Sequence, residues 1–243
     1  CGVMTGLAFP KTELFYLGWI SLVPLIYLLL RMNPAQSFVL GLIAGSLFYA
    51  VLLYWIPAVP MHYGGLSPGL SLLIYILLVL LLALFWGFFA LAASFCSRSM
   101  RKLMILVIPL LWISMEFIMT YLFTGFPWGL LGYSQAQNLS LIQISDITGV
   151  YGVSFIITLV NISLYLVIKW AIFRLGPFPF RPILFTMGIL SVVILYGNFQ
   201  KNNIQNSNKN SLHLQIDIIQ GNIDQKQKWE PSYLNETLLI YQK

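Results

Sequence analysis

Very few side chains in this sequence are able to do chemistry, and one of them stands inside a long apolar run. Glu116 is the only acidic residue well within such a run. A carboxylate is costly to place in lipid, so it usually faces other helices or a polar cavity. Trp112 and Tyr121 are possible hydrogen-bond donors on the same run. Glu116 is therefore either a structural acceptor for such a side chain or a backbone group, or a contact for a substrate.

Two uncharged loops form the second group of candidates. They cover residues 55–65 (WIPAVPMHYGG) and 123–135 (FTGFPWGLLGYSQ) and are rich in aromatic residues and glycine. Loops in water usually carry charge, so we expect these two to lie at the level of the lipid headgroups and to fold against neighbouring helices. They form either an interfacial belt of Trp and Tyr or an entrance for lipid.

Other chemistries lack their side chains in this sequence. His62 and His213 are solitary, and Cys1 and Cys96 give neither a disulfide framework nor the spacing of a metal site. No phosphate-binding loop, dinucleotide-binding fingerprint or metal-binding cluster is visible. We therefore predict neither a metal nor a cofactor. Because the sequence begins without an initiator Met, we expect a segment of a longer protein.

The composition predicts a membrane protein. Hydrophobic residues make up 59% of the chain and charged residues 8%, whereas soluble domains carry about 25% charged residues. The net charge of +6 does not indicate a nucleic-acid partner, because most Lys and Arg before residue 200 lie in short connections between apolar runs. Runs long enough to cross a hydrocarbon core of about 30 Å predict six full transmembrane helices and the end of another at 1–9. The six are 14–30, 38–57, 70–95, 103–123, 147–168 and 183–199.

Within the second of these runs, Gly41 and Gly45 are spaced for close contact with another helix.

Basic residues predict the orientation in the membrane. Three alternate connections carry positive charge, and the connections 58–69 and 124–146 carry none. Lys11 is the one exception. By the positive-inside rule the charged connections are cytoplasmic, so the tail after Asn198 faces outward. The charged set comprises Arg31, Arg98, Arg101, Lys102, Lys169, Arg174 and Arg181.

The hydrophilic tail predicts the start of a second domain. Residues 212–219 (LHLQIDII) alternate apolar and polar side chains, as a half-buried strand does, and a helix is predicted from Pro231 onward. One strand and one helix bury too little surface to be stable alone. The predicted fold is thus an all-α membrane bundle followed by the first strand and helix of an incomplete α/β domain. The predicted boundaries are 1–199 for the membrane domain, 200–210 for a linker and 211–243 for the second domain.

Several segments together resemble the bacterial apolipoprotein N-acyltransferases. Residues 214–231 (LQIDIIQGNIDQKQKWEP) are similar to the start of that family's nitrilase-like domain, and 123–128 with 132–135 is similar to its most recognisable membrane loop. Four shorter motifs match in the same order along essentially the whole chain. These are 7–10 (LAFP), 54–56 (YWI), 63–65 (YGG) and 147–155 (ITGVYGVSF). One departure is Met119, where the family often carries an Arg.

The resemblance implies acyl transfer in the bacterial inner membrane, with the soluble domain on the periplasmic side. An acyl chain would pass from a phospholipid to a cysteine thiolate, and then to the amine of an N-terminal diacylglyceryl-cysteine on a lipoprotein. The catalytic Glu, Lys and Cys of the family correspond to positions beyond residue 243, so this segment by itself is expected to be inactive. No cofactor is implied. A non-catalytic membrane subunit or transporter with a short outward tail, and an acyltransferase with another amine acceptor, remain as alternatives.

The resemblance also assigns roles to particular residues. Trp229 matches a tryptophan near the active-site mouth, where it either contacts the lipid substrate or anchors the core of the second domain. Gln220 and Asn222 contact substrate or merely form the turn around Gly221. The aromatic residues of the membrane loop, Phe126, Trp128 and Tyr133, are expected to form the lipid entrance.

Overall fold

The computed structural model describes residues 1–243 except 174–176, 210–215, 225–227, 229–230 and 242–243. The described residues are helical apart from turns and connections. The α-helices are α1 (Gly2–Gly6), α2 (Val23–Leu29), α3 (Pro34–Leu52), α4 (Ala58–Tyr63), α5 (Pro68–Ser99), α6 (Met104–Tyr121), α7 (Leu139–Ile142), α8 (Ser145–Phe173), α9 (Phe180–Lys209) and α10 (Leu234–Tyr241). Short 3-10 turns occupy Phe15–Trp19, Arg101–Leu103, Leu131–Gln135 and Pro231–Tyr233.

Five of the described helices, α3, α5, α6, α8 and α9, are long and apolar enough to cross a membrane. The five corresponding predicted spans are confirmed as long apolar helices. The prediction of a sixth full span at 14–30 is wrong, because that run is broken into the 3-10 turn Phe15–Trp19 and the seven-residue helix α2. Pro24 lies in the first turn of α2, a position that proline favours because its missing N–H has no partner there in any case. A helix as short as α2 rises only about 10 Å.

The break before α2 is stabilised by a polar side chain from α8. Asn161 is fully buried; its Oδ1 accepts a hydrogen bond from the Leu22 N–H at 2.9 Å, and its Nδ2 donates to the Gly18 carbonyl at 2.9 Å. Backbone groups in lipid must be paired within the protein. Asn161 therefore supplies the partners that the interrupted helix lacks.

Small residues bring α3 and α5 into close contact. A Cβ on Gly41 would lie 2.5 Å from the Trp86 carbonyl oxygen, and one on Gly45 would lie 2.8 Å from Trp86 Cβ. The close helix contact predicted from the spacing of these glycines is confirmed. The core continues from this contact through α6 to α8, with Phe48, Phe89 and Ile108 among its buried side chains.

Helix α9 lies at the edge of the bundle, attached by polar contacts near its second half. Tyr196 and Gln200 donate hydrogen bonds to Asp146 Oδ2 at 2.6 and 3.1 Å, and Ser140 Oγ donates to Asn198 Oδ1 at 2.7 Å. We call these five residues the α9 seam. The helix continues without interruption through the predicted linker as far as Lys209.

The tail after α9 is helical where a helix was predicted. The turn Pro231–Tyr233 leads into α10, which confirms a helix starting near Pro231. Residues 216–219 of the predicted strand, the part that the structure describes, are not in a strand, and Ile216, Ile218 and Ile219 are exposed. An isolated strand has no neighbouring strand to pair its backbone groups. The start of an α/β domain is therefore not formed within the described residues.

The pairing around Asn161 gives a stability prediction. Asn161→Leu leaves the buried Leu22 N–H and Gly18 carbonyl without partners, which costs about 1–3 kcal/mol for each group. We expect a lower unfolding temperature in detergent, measured by the loss of helical circular dichroism on heating. Asn203→Leu, on an exposed position of α9, is the matched control and should change little. Equal unfolding temperatures for the two variants would contradict this account of the break.

Candidate functional site

The segment after α6 folds back over the bundle. Leu122 leaves the helix, Phe123 and Gly125 adopt positive φ values of 55° and 71°, and the Phe126 N–H donates to the Met119 carbonyl at 2.9 Å. A Cβ on Gly125 would lie 2.0 Å from the Thr120 carbonyl oxygen, so only glycine fits this reversal. We call residues 122–130 the return turn.

The Glu116 carboxylate holds the residues that follow the return turn. Glu116 is 6% exposed, and its Oε1 accepts hydrogen bonds from Trp112 Nε1 at 2.8 Å and from the Leu131 N–H at 2.7 Å. We call Trp112, Glu116 and Leu131 the Glu116 node. It confirms the prediction that Glu116 accepts structural hydrogen bonds from Trp112 and from the backbone.

Two further contacts fix residues 131–135, which we call the pinned segment. The Gly132 N–H donates to Ser154 Oγ at 2.8 Å, and Gln135 Nε2 donates to the Phe15 carbonyl at 2.9 Å. Leu130, Leu131, Ser134 and Gln135 are buried. The second uncharged loop therefore folds into the helix bundle, as expected. Side chains of the bundle pair its backbone, as irregular backbone within a membrane bundle requires.

A small cavity adjoins the Glu116 carboxylate. Its volume is about 20 Å³, and aromatic side chains form most of its wall, including Tyr49, Trp86, Phe89 and Trp112. Glu116 Oε2 is buried and has no hydrogen bond of normal geometry to the described residues, although the Ser154 hydroxyl lies close enough to interact with the carboxylate. This volume suits one water molecule and excludes a lipid headgroup. The geometry thus favours a positioning role for Glu116 over direct contact with a substrate.

The expected lipid-entrance residues are brought together only in part. Trp128 is half exposed, and its ring centroid lies 5.4 Å from that of Phe126 and 5.7 Å from that of Trp55. These tilted ring contacts join the two uncharged loops. Tyr133 is also partly exposed, but among the described ring contacts none joins it to this group. Lys11 is the one basic residue that does not fit the positive-inside pattern. Its Nζ lies 4.3 Å from the centre of the Tyr54 ring, a favourable cation–π contact.

The candidates in the tail are separate from the membrane-domain residues. Gln220 and Asn222 are exposed, and among the described residues no hydrogen bond or ring contact joins either of them to Glu116 or Trp128. Asn222 has a φ of 46°, the left-handed conformation that Asn tolerates in turns. This geometry supports the turn interpretation of Gln220 and Asn222. Trp229 lies outside the described residues.

Sequence reasoning missed Ser154, Gln135 and Asn161. Each is a single buried polar residue on an otherwise apolar or uncharged segment, and each pairs with a backbone group far along the chain. Ser154 and Gln135 do lie within matched motifs, 147–155 and 132–135. That position was the only signal available for them. Across the residues that the structure describes, no group of three or more His, Cys, Asp or Glu side chains converges as a metal site.

These features define a polytopic helical membrane protein in which an irregular loop is held inside the bundle by buried polar side chains. Residues 1–163 match the model of the apolipoprotein N-acyltransferase N-terminal domain. The chain belongs to this family, which confirms the resemblance seen in its motifs.

Relatives extend the similarity to the whole chain. An apolipoprotein N-acyltransferase of Geobacter metallireducens is 39% identical over 245 residues, covering 100% of this chain and 46% of the relative. Those of Coxiella burnetii and Pasteurella multocida are 29% and 26% identical, covering 99% and 100% of this chain and 48% and 45% of the relatives. The chain thus spans about half the length of the curated relatives it matches. Membership of this family argues against the transporter alternative.

The Glu116 node gives a prediction with an internal comparison. Glu116→Leu leaves the Trp112 indole N–H and the Leu131 N–H buried without an acceptor, at about 1–3 kcal/mol for each. Glu116→Gln keeps a side-chain oxygen for both donors. We expect the leucine variant, and not the glutamine variant, to expose the pinned segment. The measurement is the rate of maleimide labelling of Ser134→Cys, in a background with Cys1 and Cys96 replaced by Ser.

Ser114→Leu serves as the control for this comparison, because Ser114 is exposed on the same helix. It should leave the labelling slow. If Glu116→Gln labels as fast as Glu116→Leu, the negative charge rather than the acceptor geometry holds the segment.

Proposed function

We propose that this chain is the membrane domain, with the beginning of the outward domain, of an enzyme that transfers an acyl chain from a phospholipid to a lipoprotein. The observation that carries the proposal is the family match over residues 1–163 together with relatives of this activity that cover the whole chain. The acceptor is the α-amino group of an N-terminal diacylglyceryl-cysteine. The proposed division is 1–199 for the membrane domain, 200–210 for the linker and 211–243 for the start of a nitrilase-like domain.

The proposed reaction has two acyl-transfer steps. A cysteine thiolate attacks the ester carbonyl of the phospholipid, a thioester forms and the lysophospholipid leaves with its alkoxide protonated. The free amine of the lipoprotein then attacks the thioester, which forms the amide, releases the thiolate and loses a proton to a general base. The resemblance assigns the catalytic Cys, Glu and Lys to sequence that follows residue 243. The residues of this chain position the lipid substrate and the return turn relative to those catalytic residues.

Individual residues have distinct proposed roles. Phe126, Trp128 and Tyr133 form the edge at which lipid approaches, which their partial exposure supports for Trp128 and Tyr133. Glu116 holds the start of the pinned segment through its hydrogen bond from the Leu131 N–H. Trp229, with Gln220 and Asn222, belongs to the mouth of the catalytic domain. Both substrates are anchored in lipid, so a site placed beside the membrane surface meets them at their reacting ends.

We also propose that the membrane is the bacterial inner membrane and that the tail faces the periplasm. Among the described basic residues, Arg98 and Lys169 lie near the C-terminal ends of α5 and α8, and Arg181 lies at the start of α9. The return turn instead follows the C-terminal end of α6. Because successive spans alternate in direction, the basic residues and the return turn lie on opposite sides, and the positive side is cytoplasmic.

The activity is tested in the full-length protein. In a strain depleted of its own enzyme, we expect the full-length protein to restore an N-linked acyl chain on lipoprotein N-termini, read by mass spectrometry. Trp229→Ala should abolish this transfer while membrane insertion stays intact. Trp170→Ala, near the C-terminal end of α8, should leave it unchanged. Free N-terminal amines with the full-length wild type would reject the function, and full transfer by Trp229→Ala would reject only the role of Trp229.

The orientation is tested separately by reporter fusions after residue 210. Alkaline phosphatase folds only outside the cytoplasm, so we expect it to be active at this position, and a fluorescent protein exported in an unfolded form to be dark. A matched pair fused after residue 100, in a positively charged connection, should give the reverse pattern. Fluorescence after residue 210 would place the tail in the cytoplasm and exclude the proposed arrangement.

A further inference from the structure

A long apolar groove runs between α5 and α6 on the outside of the bundle. Its volume is about 640 Å³, and its lining is aliphatic, aromatic or Met except for Thr124 and Gly125 of the return turn. No charged side chain contributes to the lining. Leu81, Phe88 and Ile118 in its walls are 57%, 49% and 42% exposed, so the groove is open along its length to the surroundings of the bundle.

The groove extends along α5 for more than the hydrocarbon depth of one leaflet. Its lining on α5 extends from Leu78 to Ala92, a distance of about 21 Å along the helix axis. The hydrocarbon core is about 30 Å thick, so a single leaflet contributes about half of that. The groove is therefore long enough to receive one extended acyl chain.

The return turn defines which end of the groove is the mouth. Residues 122–126 line the end of the groove beside Leu78. Ala92 lies toward the other end, where α5 carries Arg98. The wall residue Phe126 is in ring contact with Trp128. The mouth is thus continuous with the proposed lipid edge, and Ala92 marks the inner end of the lining on α5.

The back wall of the groove is the Glu116 region. Phe85, Met115 and Met119 line both the groove and the small cavity beside Glu116. The two Met side chains are unbranched and adapt to a flexible neighbour, while the Glu116 node behind them keeps the wall in place. An occupant of the groove therefore lies against a fixed surface within the bundle.

We propose that the α5–α6 groove holds one acyl chain of the phospholipid donor, with its ester carbonyl at the return turn and its methyl end near Ala92. This inference rests on the proposed function. Within a bilayer the surrounding lipid tails are as apolar as the groove, so the hydrophobic effect alone does not draw a chain in, and retention depends on packing contacts along the lining. The groove acts instead by position: it sets how deep the chain lies, and hence where the ester carbonyl stands relative to the catalytic domain.

The positional role predicts a change in chain-length preference. Ala92→Phe fills the inner end, so a palmitoyl chain no longer lies at full depth, while a lauroyl chain still fits. With the full-length protein in lipid nanodiscs, we expect the ratio of palmitoyl to lauroyl transfer from phosphatidylethanolamine to fall about tenfold, the low end of what one misplaced methylene costs in an apolar pocket. Leu77→Trp, which is on α5 but outside the lining, should leave the ratio unchanged.

A second measurement does not depend on catalysis. Native mass spectrometry of the full-length protein after detergent exchange should show one retained phospholipid in the wild type and in Leu77→Trp, and a shift to shorter retained chains in Ala92→Phe. Retention without any transfer would support the groove and reject the proposed function. Transfer with an unchanged chain ratio in Ala92→Phe would reject the groove and leave the function standing. A retained second copy of the protein in place of lipid would also reject it.

Discussion

The pairing of every backbone polar group inside the protein is the constraint on which this structure depends. A lipid environment offers no hydrogen-bond partners, so regular helices satisfy it automatically and any irregular backbone needs side chains. The break before α2 and the pinned segment are two irregular stretches that show this. Asn161 pairs the first, and Glu116 pairs the second together with Ser154 and Gln135. These four buried polar side chains pair with backbone groups where regular helix is interrupted.

This constraint also explains why α6 tolerates an acidic side chain that forms no ion pair among the described residues. Glu116 has no basic partner among the described residues in its surroundings, and Met119, in the position where the family often carries Arg, accepts a hydrogen bond from the Tyr49 hydroxyl at 3.0 Å. Oε1 accepts hydrogen bonds from two N–H donors. A neutral acceptor of the same shape would satisfy both donors as well. The position of the acceptor, rather than an ion pair, fixes the loop.

The sequence predicted the long helices because the length and hydropathy of a continuous apolar segment can be read directly from it. It predicted the contact at Gly41 and Gly45 because that contact depends only on small residues spaced four apart. It failed at 14–30, because hydropathy counts apolar residues and does not reveal the 3-10 turn Phe15–Trp19 that interrupts the run. The roles of Asn161 and Ser154 depend on partners more than twenty residues away, which no local pattern reveals. The alternation in 212–219 indicates strand propensity only, since a strand forms when another strand supplies its hydrogen bonds.

The α9 seam links these local pairings to the proposed chemistry. Asp146 and Ser140 follow the pinned segment directly, and both hold α9 in the half from which the tail departs. The direction in which the tail leaves the bundle is thus tied to the same stretch of chain that Glu116 holds in place. Under the proposed function, a groove against the Glu116 region sets the depth of the acyl chain, and the α9 seam sets the approach of the catalytic domain. A displacement of residues 131–146 would therefore separate the ester carbonyl from its nucleophile even where neither binding surface had changed.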